Sequence, residues 1–174
     1  MTYYTCCDTI SPYYFEEMVY IIKYIIASKD EIELVIKMRL EMARAVHNLP
    51  SDYIFDDEFL RRTREYFEEK EQATVLALDK EVIGAATICY STILPYVKNP
   101  TGKRGHIMSV YTIDEYRRQG IASQMLKILI DEAKKKGVFQ ITLDASNLGR
   151  PVYQKLSFVD SPTYMILDMY QPEQ

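Results

Sequence analysis

The run VYIIKYIIA at residues 19–27 is β-branched or aromatic at most positions and predicts a strand. Ser28 follows, with Glu31 three residues later at the spacing of a capping box. Ile32, Val35, Ile36, Ala43 and Val46 then recur as the apolar positions of a helix reaching about His47. Beyond the turn Asn48-Leu49-Pro50-Ser51, Asp56 or Asp57 opens a second helix. Phe59, Thr63, Tyr66 and Phe67 share one of its faces, and its Arg and Glu residues form a solvated one. Strands are expected at 73–78 and 82–93, joined as a hairpin through Asp79-Lys80-Glu81. Residues 95–105, with two prolines, two glycines and three cationic residues, read as an exposed loop.

A further strand is expected at 106–113, and 120–136 carries the clearest helical pattern. Ile121, Met125, Ile128, Leu129 and Ala133 fall at i, i+4, i+7, i+8 and i+12, Gly137 stops the helix, and Lys134 to Lys136 complement its dipole. A strand at 139–143, a short helix at 150–156 with Pro151 in its first turn, and a strand at 163–167 complete the order. Three consecutive strands precede the long helix without crossover helices. That order predicts an α/β fold with a mixed, largely antiparallel sheet flanked by helices, not a parallel doubly wound one.

Composition narrows the function. With 174 residues the chain suits one domain, taken as 18–174, with 1–17 an extension to which no role is assigned. A net charge of −4 leaves no basic surplus for extended nucleic-acid binding and suits a cationic or amine-bearing substrate. No apolar run reaches the roughly 18 residues needed to span a bilayer, and no secretory signal is read at the N-terminus. Cys6, Cys7 and Cys89 give neither a disulfide framework nor a metal-ligand spacing, so a reducing, cytoplasmic setting is expected, with no metal. Cys89 reads as a small core residue.

The chemistry concentrates where the strand ending near Thr112 passes through Asp114-Glu115-Tyr116 into Arg117-Arg118-Gln119-Gly120-Ile121-Ala122 and the long helix. Unpaired N–H groups and partial positive charge at a helix N-terminus suit a pyrophosphate. Gly120 permits close backbone approach there, and two arginines add charge. Downstream, FQITL leads into Asp144-Ala145-Ser146-Asn147-Leu148-Gly149-Arg150-Pro151 and a short helix bearing Tyr153. If these two strands splay, the gap exposes backbone to an extended, amide-containing ligand.

VYTIDEYRRQGIASQMLKILIDEAKKKG followed by ITLDASNLGRPVYQKLSF resembles the GCN5-related N-acetyltransferase family, over about residues 105–160. The resemblance implies a sheet splayed between its two central strands and acetyl-CoA as cofactor. It places Arg117, Arg118, Gln119, Gly120, Ile121, Ala122 and Ser123 at the pyrophosphate, and Val110, Tyr111 and Thr112 along the pantetheine arm and acetyl carbonyl. Asn147 matches a pantetheine contact, and Tyr153 a hydroxyl facing the thioester sulfur, as acid for the departing thiolate. It also implies direct acetyl transfer to a primary amine of a small molecule or peptide, and a homodimer. His106 occupies the strand position where some members place a catalytic glutamate. It is the candidate base, with a surface histidine as the plainer alternative. Arg39 and Glu41 are placed to face the acceptor, although a helix of this composition exposes such charges anyway. A noncatalytic acyl-CoA-binding module and a regulatory interaction subunit remain open alternatives. The chain departs from the family's common pattern at Asp114, Arg118 and Ser157. The first two positions are expected to tolerate replacement. At Ser157, a positive φ would cost roughly 1 kcal/mol.

Overall fold

The structure is a computed structural model that describes residues 22–162 and 165–167. Its elements, in chain order, are β1 (Lys23–Ile26), α1 (Ile32–His47), α2 (Asp57–Glu69), β2 (Gln72–Asp79), β3 (Glu81–Thr92), β4 (Lys103–Thr112), α3 (Ile121–Lys135), β5 (Gln140–Leu143) and α4 (Arg150–Lys155). The extension expected at 1–17 and the first residues of the strand expected at 19–27 lie outside the described residues. The last expected strand, 163–167, lies partly outside them, and its described part, residues 165–167, is not a strand.

Local chemistry sets the helix boundaries. Ser28 Oγ accepts from Asp30 N–H at 3.1 Å, and Ser28 N–H donates to the Glu31 carboxylate at 2.8 Å, so the expected capping box is present, followed by a 3-10 turn over Lys29–Glu31 and then α1. Those Ser28 hydrogen bonds hold the Glu31 carboxyl below its usual range. Asn48, at φ 52°, ends α1 in the left-handed region. Asp56 caps α2 by accepting from Phe59 N–H at 2.8 Å.

The five strands lie in chain order in one sheet, with β1 to β4 antiparallel and β5 joining β4 in parallel. Alternation along the strands builds two cores. Val75, Ala77, Ile83, Ala86, Ile88 and Ile107 face Ile121, Met125, Leu126, Leu129 and Ala133 of α3. On the other side, Leu76, Val82 and Ala85 face Val35, Ile36, Met38 and Phe67 of α1 and α2. Because helices cover both faces, β2 and β3 read as nearly unbroken apolar runs. Each fully buried Leu or Ile contributes roughly 1.5–3 kcal/mol by leaving water. Val46, expected among the apolar positions of α1, is 60% exposed near the helix end, and Cys89 is only half-buried.

Candidate active site

The parallel pairing of β4 with β5 runs from Arg104–Gln140 to Ile107–Leu143 and stops there, while β4 continues to Thr112. Val110, Tyr111 and Thr112 therefore lie in a length of β4 that pairs with β3 on one edge and with no described strand on the other. This is the expected splay.

A β-bulge sits at the fork. Ala85 pairs with Tyr111 and Thr87 with Met108, so Ala86 opposes both Ser109 and Val110, and Ser109 takes φ 53°. The extra residue reverses the alternation of side chains. Ile107 and Val110 consequently pack on the α3 side, while Tyr111 joins the α1–α2 side.

The chain leaves β4 through a 3-10 turn at Asp114–Tyr116 and enters α3 at Gly120, which has φ 84°. Gln124 N–H closes the first turn on Gly120 O at 3.0 Å. The N–H groups of Ile121, Ala122 and Ser123 lie ahead of the helical ladder, and no side chain caps them. A Cβ on Gly120 would meet no protein atom within 4 Å, so its left-handed backbone, not crowding by the protein, is what favours glycine there.

The two arginines differ in role. Arg117 is tied back into the protein: Nε donates to Thr112 O at 3.0 Å, a guanidinium nitrogen lies 2.7 Å from Asp114, and the group covers the Tyr111 ring at 5.6 Å. Gln119 is likewise engaged, donating to Glu115 O at 3.2 Å. Arg118 is exposed and takes φ 63°. Arg118 stands where many family members have glycine, and its left-handed backbone gives that departure a strain cost of roughly 1 kcal/mol.

On the far side of the fork, Asn147 is exposed in the turn that leaves β5 at Leu143, its last residue paired with β4. Ser146 Oγ accepts Gly149 N–H at 3.1 Å and Ser146 O accepts Arg150 N–H at 2.9 Å, closing that turn into α4. Tyr153 lies in α4 and packs with Val110 against the α3-side core. A Schellman motif anchors it, since Ser157 N–H donates to Gln154 O and Phe158 N–H to Tyr153 O, at 3.0 and 3.1 Å. Ser157 does adopt positive φ, 66°, and the turn brings Phe158 edge-on to Tyr153 at 6.1 Å between ring centroids. Gly149 makes room for that ring, because a Cβ there would come within 3.0 Å of it. Burial raises the pKa of the Tyr153 phenol, so it keeps its proton.

His106 lies on the opposite face, in a cavity of about 440 Å³ between α1, α2 and β4. Its Nδ1 is 2.9 Å from Thr142 Oγ1, and Thr142 Oγ1 donates to Gly105 O at 3.5 Å. The other ring nitrogen, Nε2, lies 3.8 Å from the Asp144 carboxylate. Arg39, Thr63, Tyr66, Met108 and Ser109 also line the cavity. Glu41 instead pairs with Arg44 at 3.1 Å. Thus the fork has His106 on one face and Tyr153 on the other. Sequence reasoning missed Thr142, Asp144 and Ser109. Thr142 and Asp144 carry a readable signal, being the polar residues around the end of an apolar strand, whereas nothing marks Ser109 as a bulge.

Comparisons with known proteins identify the family and the fold. A family model described as the acetyltransferase (GNAT) family matches residues 40–158. A glucosamine 6-phosphate N-acetyltransferase from Arabidopsis thaliana is 25% identical over 104 residues, spanning 59% of this chain and 69% of that relative. One of the same name from Trypanosoma brucei brucei is 32% identical over 65 residues, spanning 37% of this chain and 44% of its own. Among solved structures, a predicted acetyltransferase from Clostridium acetobutylicum, crystallised with acetyl-CoA, is 29% identical with a TM-score of 0.74. That match covers 86% of this chain and 97% of the other.

Proposed function

The chain belongs to the acetyltransferase (GNAT) family, and from that premise we propose that it transfers acetyl directly from acetyl-CoA to a primary amine of a small molecule or peptide, across the fork between β4 and β5. The observation that carries this reading is the conjunction of an unpaired length of β4 with an uncapped α3 N-terminus immediately after it. The donor set fits acetyl-CoA. Backbone N–H groups of Ile121, Ala122 and Ser123, opened by the positive φ of Arg118 and Gly120, suit a pyrophosphate, with the Arg118 side chain adding exposed charge. The Val110 to Thr112 backbone suits an amide-containing arm, with Asn147 at the other side of the fork.

Acetyl-CoA supplies the activated acetyl group as a thioester. Around the thioester, the backbone of Val110 to Thr112 orients the acetyl group, and its N–H groups stabilise negative charge developing on the carbonyl oxygen. On the α1–α2 side, His106 Nε2 accepts the amine's proton, directly or through water. From the α3 side, Tyr153 holds a proton for the departing sulfur, which its buried environment keeps in place. Cys89, half-buried on β3, has no role in direct transfer. The acceptor is an amine small enough for the cavity or the end of a longer chain entering it. The names of the Arabidopsis and Trypanosoma relatives make an amino sugar phosphate one candidate.

The test is CoA release measured against a panel of primary amines, including glucosamine and its 6-phosphate, with mass spectrometry of the products. Amine-dependent CoA release with an acetylated product is expected. Tight acetyl-CoA binding without release would instead make the domain a binding module.

A further inference from the structure

Arg39 extends from α1 into the cavity beside His106, carrying a charge that the described residues leave uncompensated. Its guanidinium is half-buried, and that burial lowers its pKa from the ordinary arginine value. The partners it has are neutral and distant: Ser109 Oγ at 3.4 Å and Met42 Sδ at 3.9 Å. Other arginines on these two helices do have carboxylates: Arg44 has Glu41, Arg62 has Glu58, and Arg64 has Glu33. Asp144, the carboxylate in the cavity lining, sits by His106, and its side chain is 96% exposed. Among the described residues, no carboxylate lies within ion-pair distance of Arg39.

A half-desolvated guanidinium with only weak neutral partners is costly unless something else supplies the anion. Its planar donor fork matches a carboxylate or phosphate, to which it can bond with two parallel N–H groups. Position adds a second constraint. Arg39 contacts Ser109, the residue immediately before the Val110 to Thr112 stretch at the fork.

The geometry points to an acceptor that carries an oxyanion, carboxylate or phosphate, bound by Arg39, with its primary amine only a few bonds away at the fork. This rests on the acetyl-transfer reading and narrows its substrate class. The net charge of −4 disfavours anions at long range, so selection falls to this local cation and not to the overall field. The oxyanion occupies the α1 side of the cavity, and the amine lies between it and the thioester, within reach of His106 on the same face.

The experiment compares kcat/KM for matched acceptors that differ by one oxyanion: O-phosphoethanolamine with ethanolamine, β-alanine with β-alaninamide, and an amino sugar phosphate with its parent amino sugar. In the wild-type protein at least one anionic member should exceed its neutral partner by about 10- to 100-fold, the value of a charge-assisted bidentate contact. The pair with the larger ratio identifies phosphate or carboxylate. Arg39→Met should bring that ratio close to one and Arg39→Lys should retain part of it, with acetyl-CoA affinity unchanged in both. A purely structural role would alter both members of a pair equally and leave the ratio intact. Neutral amines matching or exceeding the anionic ones in every wild-type pair, a result that needs no variant, would overturn the oxyanion assignment while leaving acetyl transfer standing. So would a ratio that survives Arg39→Met. Bound acetyl-CoA with no CoA release from any amine would overturn the transfer reading itself.

Discussion

Tyr153 combines a ring packed on Phe158 and the α3-side core with a phenol that burial keeps protonated. Tyr153→Phe preserves the packing and removes only the hydroxyl. Turnover should then fall by roughly 10²- to 10⁴-fold with little change in acetyl-CoA affinity. Near-normal turnover, where chemistry limits the rate, would reduce Tyr153 to packing. Burial raises its pKa, so the hydroxyl keeps its proton through the neutral range. Ser157 strains its backbone to close the turn that seats Tyr153. Ser157→Gly should therefore raise stability by up to roughly 1 kcal/mol, measured by denaturant unfolding, without changing turnover. A loss of stability would show that the left-handed conformation is not a cost at that position.

The start of α3 works through its backbone. Gly120→Val should abolish acetyl-CoA binding, since it opposes φ 84° and places a branched side chain beside the uncapped N–H groups. Arg118→Ala should only weaken binding and reduce its salt sensitivity. Equal, severe losses in calorimetry would shift the site from backbone to side-chain charge. On β4, His106→Ala should lower turnover with little change in acetyl-CoA affinity, and unaltered turnover would assign proton removal to water. These elements were largely legible in the sequence because their signals are local. The capping box at Ser28, the i, i+4, i+7 spacing in α3 and the tight hairpin at Lys80 all have short-range causes. The bulge at Ser109 has none: it follows from matching β4 to β3 over a distance, and it decides which side chains face the cavity. Arg39 was visible as a charge on a helix, but its lack of a carboxylate emerges only once α1, α2 and β4 pack together. The left-handed conformations of Arg118 and Ser157 carry no mark in the residues themselves, since neither is glycine, and only the departure from the family pattern points to them.

Across the whole molecule, helices on both sheet faces enclose tyrosines as well as aliphatic residues. Burial raises the pKa of Tyr24, Tyr66, Tyr111 and Tyr153, and burial together with the charges of Glu132 and Glu71 raises Tyr90 to about 12. A phenol whose folded pKa exceeds its unfolded value stabilises the fold fully below the unfolded value, about 10, and loses that contribution as pH rises through the folded one. Thermal midpoints should therefore show no tyrosine-linked fall until about pH 10 and decline steadily above it. A midpoint unchanged up to about pH 12 would contradict this burial. The same two-sided packing leaves the fork open to an amine on one face and a proton donor on the other. The direct test of that arrangement is to incubate the protein with acetyl-CoA labelled in its acetyl group and the best acceptor amine, then locate the label by mass spectrometry. The account predicts label on the acceptor nitrogen, stoichiometric CoA release and none on the protein; label retained on a protein side chain, or no amine-dependent release from bound acetyl-CoA, would contradict it.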